Sequence, residues 1–335
     1  MKVLVTGATG FVGSHAAEAL LDAGHQVRTL VRDPYRLDTA LTPAHRARVE
    51  VATGDMLVPD SVERAVDGCD AVLHAAGVVG VSRTGSGSRD MNLEGTRNVI
   101  GSAVAAGCDP VIYTSSVAAM LPSDEPLLTV DSPLGDPAGD YSRSKVDAER
   151  FVRSLQDGGS PVTTFYVGGV YGPRQPDVAS GMEGIVAAAS QMMVVPDGGI
   201  GTIDVRDLAS LIVAAARPDA GPRRYMAGGQ FLTWAEWTDL LSQVCGRKVR
   251  RVRVPNQLLT GLARSLDAAK RVRSFDYPLT YEAAVQMTSS PRTDDRPTLA
   301  ELGATYRPVA ETLTDATRWL VESGHLDPKF TPGLA

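Results

Sequence analysis

Cysteine is scarce in this sequence, and its placement excludes two kinds of stabilising site. The 335 residues include three cysteines, Cys69, Cys108 and Cys245, which are odd in number and far apart. No C-x-x-C pair occurs, which argues against a disulfide framework and against a zinc site. We therefore expect no metal site and a reducing, cytoplasmic setting.

Long apolar runs are missing as well. No stretch of about 18 consecutive apolar residues occurs, so we expect no transmembrane segment. The apolar N-terminal segment is interrupted by glycines and by Ser14, His15 and Glu18. It therefore does not have the pattern of a signal peptide.

Basic residues are outnumbered by acidic ones, 33 to 39, and the formal net charge is −6. No basic block is dense enough to suggest a nucleic-acid partner. The basic residues of 248–254 alternate with valines, a pattern that indicates one solvent-facing side of a strand. We expect a small-molecule partner and no nucleic acid.

What the sequence does contain begins with a strand, a glycine-rich turn, a helix and a second strand. Residues 2–6 are mostly apolar and favour extended backbone. They lead into Gly7, Gly10 and Gly13, which are spaced G-x-x-G-x-x-G and are followed by apolar residues at helical spacing. A second valine-rich strand is predicted for Gln26–Val31.

This pattern favours a dinucleotide site over an ordinary turn. Glycines let the backbone approach a pyrophosphate closely, and the helix start offers free N–H groups and the positive end of its dipole. A glycine triplet alone is a weak indicator, but here two strands and a helix surround it. The expected cofactor contacts in this segment are Gly7, Thr9, Gly10, Phe11, Val12 and Gly13.

The end of the second strand favours NADP over NAD. Dinucleotide folds usually place an acidic residue here to accept hydrogen bonds from the ribose 2′-hydroxyl. This sequence has Arg32, whose guanidinium suits a 2′-phosphate by charge and geometry. The alternatives are that Arg32 is a surface charge and that Asp33 is the ribose acceptor. Arg36 is a second candidate phosphate contact.

Several motifs together resemble one family. The string T-G-A-T-G-F-V-G at the first turn, H-A-A-G at 74–77 and N-x-x-G-T-x-N at 92–98 resemble the extended short-chain dehydrogenase/reductase family, the NAD-dependent epimerase/dehydratase superfamily. The string V-R-D-P after the second strand is similar to the NADP-using dihydroflavonol 4-reductase-like branch, which lies near the 3β-hydroxysteroid dehydrogenases. The resemblance extends over residues 1 to about 175.

The resemblance implies further cofactor contacts. Asp55 and Met56 follow the predicted third strand and would lie against the adenine. The alternative for Asp55 is a cap of the helix that begins near Pro59. The small residues Ala75, Ala76 and Gly77 would let the cofactor lie against backbone, whereas we expect structural roles for His74 and Asn92.

Two later segments carry the residues expected to do the chemistry. Tyr141 and Lys145 are four residues apart at the start of a predicted helix and so share one face. A tyrosine pKa of about 10 is high for proton exchange at neutrality, and a nearby ammonium lowers it. Tyr141 would exchange a proton with the substrate oxygen. Lys145 would lower the pKa of Tyr141 and bind the nicotinamide ribose.

The predicted fifth strand ends in two serines. Alternation along a strand puts them on opposite sides, so one of them faces the reaction centre. The spacing from Tyr141, 141 − 116 = 25, fits the extended family for Ser116 rather than Ser115. Ser116 would donate a hydrogen bond to the substrate oxygen.

The segment 162–173 resembles the family pattern R-P-x-x-V-Y-G-P, which passes the nicotinamide. Gly168 and Val170 would line the carboxamide, and Tyr166 and Val167 depart from the usual Arg-Pro. Further along we predict a turn at 198–201 and a helix that Asp207 caps. Five other elements are also predicted: helices at 185–193, 234–245, 257–273 and 308–320, and a strand at 225–227.

The helix 257–273 has apolar residues at helical spacing with basic residues beside them. A helix that covers the substrate pocket is the preferred interpretation, and binding to a membrane surface or a partner is the alternative.

The predicted fold is α/β, a doubly wound parallel sheet of the Rossmann type with a smaller, mostly C-terminal α/β substrate domain. Residues 1–175, joined by about 202–228, would bind the dinucleotide, and 176–201 with 229–335 would bind substrate. The expected function is NADP-dependent hydride transfer between nicotinamide and a carbonyl or secondary alcohol of a hydrophobic substrate. The family expectation is a homodimer.

Two other functions remain open. One is an NAD-dependent nucleotide-sugar epimerase or dehydratase, or a 3β-hydroxysteroid-type dehydrogenase. The other is a catalytically silent NADP-sensing protein.

Overall fold

The computed structural model describes residues 1–77, 88–137, 139–179, 181–272 and 280–334. Strands within these ranges are β1 (Lys2–Thr6), β2 (Gln26–Val31), β3 (Glu50–Thr53), β4 (Ala71–His74), β5 (Val111–Ser116), β6 (Leu127–Leu128), β7 (Val162–Val167), β8 (Gly169–Tyr171), β9 (Met193–Val195), β10 (Gly199–Asp204), β11 (Arg223–Ala227), β12 (Gln230–Thr233), β13 (Arg251–Arg253) and β14 (Arg292–Thr293). Helices are α1 (Phe11–Asp22), α2 (Leu37–Ala40), α3 (Pro43–Arg46), α4 (Pro59–Val66), α5 (Ser88–Ala105), α6 (Asp140–Asp157), α7 (Gly181–Ser190), α8 (Val205–Ala215), α9 (Trp234–Cys245), α10 (Asn256–Val272), α11 (Tyr281–Ser289), α12 (Arg296–Leu302) and α13 (Val309–Glu322).

A parallel sheet organises residues 2–227 of the chain. Seven of the described strands form it in the order β11-β7-β5-β4-β1-β2-β3. The chain runs outward from β1 to β3 and then returns to place β4 on the other side of β1. The carboxyl ends of β1 and β4 therefore flank the point where the strand order reverses, which is where such sheets bind ligands.

Helices cover both faces of this sheet. Val3 and Val5 lie in one hydrophobic cluster with Leu20 of α1 and Ile212 of α8. Leu4, which points to the opposite face, lies in a second cluster with Ile100 of α5. The predicted doubly wound α/β fold is confirmed.

A third hydrophobic cluster forms the core of the smaller part. It joins α7, α9 and α13 through residues such as Ile185, Trp237 and Leu313. Small sheets flank it, with the orders β12-β10-β8 and β13-β9. Helix α9 confirms the helix predicted at 234–245, with Thr233 as its N-cap and Gly246 after its last residue. The structure adds Glu236, which completes a capping box with Thr233.

Some of the remaining predictions for this region are confirmed and others are wrong. Helices α10 and α13 confirm the helices predicted at 257–273 and 308–320, and β11 confirms the strand. The predicted turn at 198–201 is wrong, because Gly199–Thr202 pairs with Gln230–Thr233 as part of β10. The helix expected at 185–193 begins earlier and ends at Ser190, because Met193 pairs with Arg251 in β9.

The predicted cap of helix α8 is also wrong. Asp204 ends β10 and its carboxylate accepts a 2.8 Å hydrogen bond from the Arg206 N–H, so it is the N-cap. Asp207 lies buried in the first turn and forms a 3.1 Å ion pair with Arg307. The error arises because the partner of Asp207 lies 100 residues later in the chain.

No helix in the described part of the chain is long and apolar enough to cross a membrane.

Candidate active site

The carboxyl edge of the large sheet brings together the predicted site residues of four neighbouring strands. Gly7 follows β1, Ala75 follows β4, Ser116 ends β5 and Gly168 follows β7. The parallel register aligns Thr6 with His74 and Ser116 with Val167, so these strand ends lie side by side.

The glycine turn is built by close backbone approach. Gly7 has φ +80°, and a Cβ there would lie 2.6 Å from the backbone of Ala75 and Ala76. A Cβ on Gly13 would lie 2.2 Å from the Gly7 carbonyl oxygen. Larger residues would therefore push β1 away from β4 and helix α1 away from the strand end.

The start of helix α1 offers donors for an anion. The Gly10 N–H donates to the Gly7 carbonyl at 2.8 Å, and the next backbone bond of the helix runs from Ser14 to Gly10. Among the described residues, the N–H groups of Phe11, Val12 and Gly13 have no acceptor, and no side chain caps the helix. Because the first turn also lacks an acidic residue, it suits a pyrophosphate.

The end of strand β2 presents one unpaired cation. The Asp33 carboxylate accepts a 3.0 Å hydrogen bond from the Tyr35 N–H, and Arg36 forms an ion pair with Asp177. Arg32 is exposed, and no residue in the described ranges pairs with it. Of the two arginines proposed for a 2′-phosphate, Arg32 is the one whose guanidinium is available.

Asp55 and Met56 lie at the end of β3. The Asp55 carboxylate accepts a 3.0 Å hydrogen bond from the Leu57 N–H, whereas the N-cap of α4 is Val58. The alternative that Asp55 caps this helix is therefore wrong. The Met56 carbonyl accepts a 3.0 Å bond from Asn98 of α5, which holds the loop in place. Their contact with adenine stays a prediction.

Lys145 is buried on α6 and points toward the end of β4. A Cβ on Gly77 would lie 3.7 Å from the Lys145 Nζ and 3.5 Å from the Asn92 Oδ1. The Nζ lies 5.9 Å from the centre of the Tyr113 ring. The pKa of Lys145 is lowered to about 8. Burial, which lowers the pKa, outweighs the negative charge of Glu149, which raises it. Asn92 also donates to Ser144 at 3.1 Å, which ties α5 to α6.

Tyr141 is the second residue of α6, one turn before Lys145. The backbone of Tyr141 therefore lies on the same face of α6 as that of Lys145. The side chain of Tyr141 lies outside the described part of the structure, and its catalytic role stays a prediction.

The two serines at the end of β5 have different surroundings. Ser115 is buried and donates a 2.8 Å hydrogen bond to the Glu149 carboxylate. The half-buried Ser116 accepts a 3.1 Å bond from the Ala118 N–H at the sheet edge. The expected placement on opposite sides is confirmed, and Ser116 is the serine at the edge.

A buried polar cluster that the sequence did not reveal lies behind this edge. The Tyr166 hydroxyl donates to Glu149 at 2.6 Å and accepts from Arg153 at 2.8 Å. Tyr166 occupies the position where the family pattern has arginine, and Arg153 supplies a guanidinium from α6 instead. Burial raises the pKa of Tyr166, so this tyrosine stays neutral.

The strand that follows the cluster keeps a tight turn without the usual proline. The Gly168 N–H donates to the Ala227 carbonyl at 3.1 Å, and a Cβ on Gly168 would lie 2.1 Å from the Gly228 carbonyl oxygen. Val170 lies half-buried in β8. Gly168 is thus at the sheet edge beside Ser116, and its contact with nicotinamide stays a prediction.

A second unexpected contribution comes from helix α11. The Glu282 carboxylate accepts a 2.7 Å hydrogen bond from the Ser142 N–H and another bond from the Ser142 hydroxyl. Helix α6 has no side-chain cap at its own N-cap residue, Gly139. Glu282 therefore caps the helix that carries Tyr141 and Lys145. No local pattern could reveal this contact, because the partners are 140 residues apart.

His74 has a structural role, as expected. Its ring bonds to Thr6 at 2.7 Å and to Thr96 at 3.2 Å. Burial lowers its pKa to about 3, so it stays neutral. No group of three or more histidine, cysteine or acidic side chains in the described residues could hold a metal ion.

The fold and this edge define the class of protein, a nucleotide-binding α/β protein with a Rossmann-type sheet. The model of the NAD dependent epimerase/dehydratase family matches residues 3–228, so the chain belongs to that nicotinamide-dependent family. The resemblance inferred from the motifs is confirmed.

Individual relatives are similar over most of the chain. Sterol demethylase protein B of Methylococcus capsulatus is 28% identical, over 97% of this chain and 99% of the relative. Ceramide reductase of Caulobacter vibrioides is 31% identical, over 76% of this chain and 74% of the relative. The solved structure of gox2253 superposes with a TM-score of 0.77 at 28% identity, covering 97% and 99% of the two chains.

Proposed function

We propose that this protein is an NADP-dependent oxidoreductase that interconverts a carbonyl group and a secondary alcohol on a hydrophobic substrate. The observation that carries the proposal is the meeting of three features at one sheet edge. These are the start of α1, which no side chain caps, Arg32, which has no partner among the described residues, and the buried Lys145 beside Gly77. We further propose the division into a cofactor part, 1–175 with 202–228, and a substrate part formed by 176–201 and 229–335.

The residues suit proton transfer at a carbonyl oxygen. The cofactor supplies or accepts the hydride at its nicotinamide ring. Ser116 donates a hydrogen bond to the substrate oxygen and so fixes its position. In reduction Tyr141 gives its hydroxyl proton to that oxygen, and in oxidation it takes the proton back. The ammonium of Lys145 favours the phenolate form and binds the nicotinamide ribose.

The preference for NADP rests on charge. No residue in the described part of the chain pairs with Arg32, so it is available to a 2′-phosphate. One oxygen of Asp33, the competing ribose acceptor, already accepts a hydrogen bond from the Tyr35 N–H. A guanidinium gains a charge-assisted bidentate contact from a phosphate, and a ribose hydroxyl offers no charge.

A hydrophobic substrate is supported by the residues next to Ser116. A short apolar turn, residues 117–120, follows it directly. Ala118, Ala119 and Met120 are buried in this turn, and the half-buried Val117 is the apolar side chain next to Ser116. A nucleotide-sugar substrate would need polar and cationic partners instead. The names of two relatives refer to a sterol and to ceramide, which agrees with an apolar substrate.

The first experiment is titration of the purified protein with NADPH and with NADH. We expect NADPH to bind at least tenfold tighter, about 1.4 kcal/mol, and Arg32→Ala to remove the difference. The matched control is Arg217→Ala, an exposed arginine that precedes β11 at the opposite edge of the sheet. It should bind both cofactors like the wild type.

Two outcomes would contradict the proposal. Equal or tighter binding of NADH, or purification with NAD bound, would favour the NAD-dependent epimerase/dehydratase reading. Tight NADPH binding without oxidation of NADPH by any of a panel of apolar ketones and aldehydes would favour a cofactor-sensing protein.

A further inference from the structure

The positive charge of this chain is concentrated in one segment. Residues 247–273 contain nine lysines and arginines and one acidic residue, Asp267. Since the whole chain carries −6, the other residues carry −6 − 8 = −14. The segment is therefore a local cationic region on an otherwise acidic protein.

The same segment and the neighbouring Met192 expose apolar side chains. Leu258 is 62% exposed and Leu262, one turn later on α10, is 48% exposed. Val252 of β13 is 47% exposed and Met192, just before β9, is 50% exposed. Single exposed apolar side chains are ordinary on a protein surface, whereas several that lie together mark an interaction site.

These apolar and basic residues share one side of the molecule. Met192 and Val252 line an open cleft with Lys248 and Arg250. Val252 is aligned with Val194, which packs against Leu259 on the inner side of α10. The helix that exposes Leu258 and Leu262 therefore packs on the strand pair that carries Val252. We call this surface, made of Met192, Lys248, Arg250, Val252, Leu258 and Leu262, the basic–apolar face.

Two cations of this face have no acidic partner among the residues that the structure describes. These are Lys248 and Arg250, which are both exposed. The neighbouring Arg251, by contrast, forms a 2.7 Å ion pair with Asp239. A partner that covers this face must therefore bring negative charge together with an apolar layer.

We propose that the basic–apolar face docks on the surface of an anionic lipid bilayer. The exposed leucines and Val252 would enter the boundary between headgroups and acyl chains, while Lys248 and Arg250 would contact lipid phosphates. The acidic remainder of the protein would be repelled from the same surface, which fixes the orientation. A nucleic acid would use the cations but would leave the leucines exposed.

The face is connected to the candidate active site by two contacts. Asp267 of α10 accepts a 3.0 Å hydrogen bond from the Tyr281 N–H of α11. The next residue, Glu282, caps the helix of Tyr141 through Ser142. Because the face lies close to the candidate active site, an apolar substrate could pass from the bilayer to that site. This route rests on the proposed function, whereas docking on the bilayer does not.

The test is co-sedimentation of the full chain, without cofactor or substrate, with vesicles. We expect partition into vesicles of equal parts phosphatidylcholine and phosphatidylglycerol to exceed partition into pure phosphatidylcholine at least tenfold. Binding should weaken as salt rises. The variants Lys248→Gln/Arg250→Gln and Leu258→Gln/Leu262→Gln should each lower it at least tenfold.

The matched control variants carry the same changes of charge and polarity at exposed positions outside the basic–apolar face. Arg64→Gln/Arg217→Gln removes two other exposed cations, and Val58→Gln/Leu127→Gln replaces two other exposed apolar side chains. Both should bind vesicles like the wild type. Thermal midpoints of all variants check that the fold is kept.

Three results would overturn the proposal. The first is failure of the wild type to bind anionic vesicles, and the second is equal binding by face and control variants. The third is tighter binding to duplex DNA than to vesicles with no effect of the leucine variant, which would assign the cations to nucleic acid. Because no reaction is measured, these results do not depend on the proposed activity.

Discussion

The carboxyl edge of the large sheet and the helix pair α10–α11 shape the same site in different ways. At the sheet edge the backbone sets the geometry, since Gly7 and Gly13 lie too close to neighbouring chain to carry a side chain. In α11 one side chain sets the geometry, since Glu282 caps α6 through Ser142, which lies 140 residues earlier. Backbone geometry restricts which residues can occupy a short stretch and so leaves a recognisable motif. A single long-range contact leaves no motif in the sequence.

This difference separates the residues that carry out the proposed reaction from those that position them. The groups proposed to handle cofactor and proton belong to the sheet edge and to α6. The C-terminal helices contribute the cap of α6 and the face proposed to meet lipid. Variants of matched chemistry in each region can test whether this division holds.

The largest effect should come from the serine pair at the sheet edge. Ser116→Ala should lower kcat on the order of 100-fold, the usual loss when a donor to a developing oxyanion is removed. Ser115→Ala should cost about 1 kcal/mol of unfolding free energy, because Glu149 loses a buried donor, and should largely preserve kcat. Steady-state kinetics and urea unfolding measure both. Equal kinetic loss in the two variants would remove the distinction between the serines.

A smaller effect is expected for the cap of α6. Glu282→Ala should lower kcat about tenfold through misplacement of the Tyr141 helix turn and cost about 1 kcal/mol of stability. The matched control is Glu236→Ala, which removes the corresponding carboxylate from the capping box of α9. It should cost similar stability and leave kcat unchanged. If both variants left kcat unchanged, Glu282 would have a purely structural role.

The smallest effect concerns pH. Burial lowers the pKa of Lys145 to about 8 while Glu149 raises it, so the ammonium is present below about pH 8 and is lost as pH rises through that value. Reduction should therefore decline above about pH 8. Glu149→Gln removes the charge that raises this pKa, and the alkaline limb of kcat/KM should move to lower pH.

A control separates the charge of Glu149 from its packing. Tyr166→Phe removes a hydrogen bond to Glu149 but keeps the carboxylate charge, so the limb should stay in place. Other described groups near Lys145 include His74, which is neutral in this range, and the Tyr113 ring. Tyr141 is placed only by its backbone, one turn earlier on the same helix. An unchanged limb in Glu149→Gln would show that Glu149 does not tune Lys145.

The sequence by itself determined the strand–turn–helix unit at the N-terminus and helix α9, because these depend on local interactions. The parallel sheet followed from the repeated order of strands and helices along the chain. A strand that runs into G-x-x-G-x-x-G, or a helix with Thr233 before it and Gly246 after it, is specified within a few residues. Family membership followed from the same short strings.

Only the tertiary structure decided which polar side chains are partners. Asp204 and Asp207 are three residues apart, yet one caps α8 and the other pairs with Arg307. Likewise Arg153 donates a hydrogen bond to the Tyr166 hydroxyl, and Glu282 caps α6. In each case a buried polar group must find a partner, and that partner is brought near by packing rather than by sequence spacing.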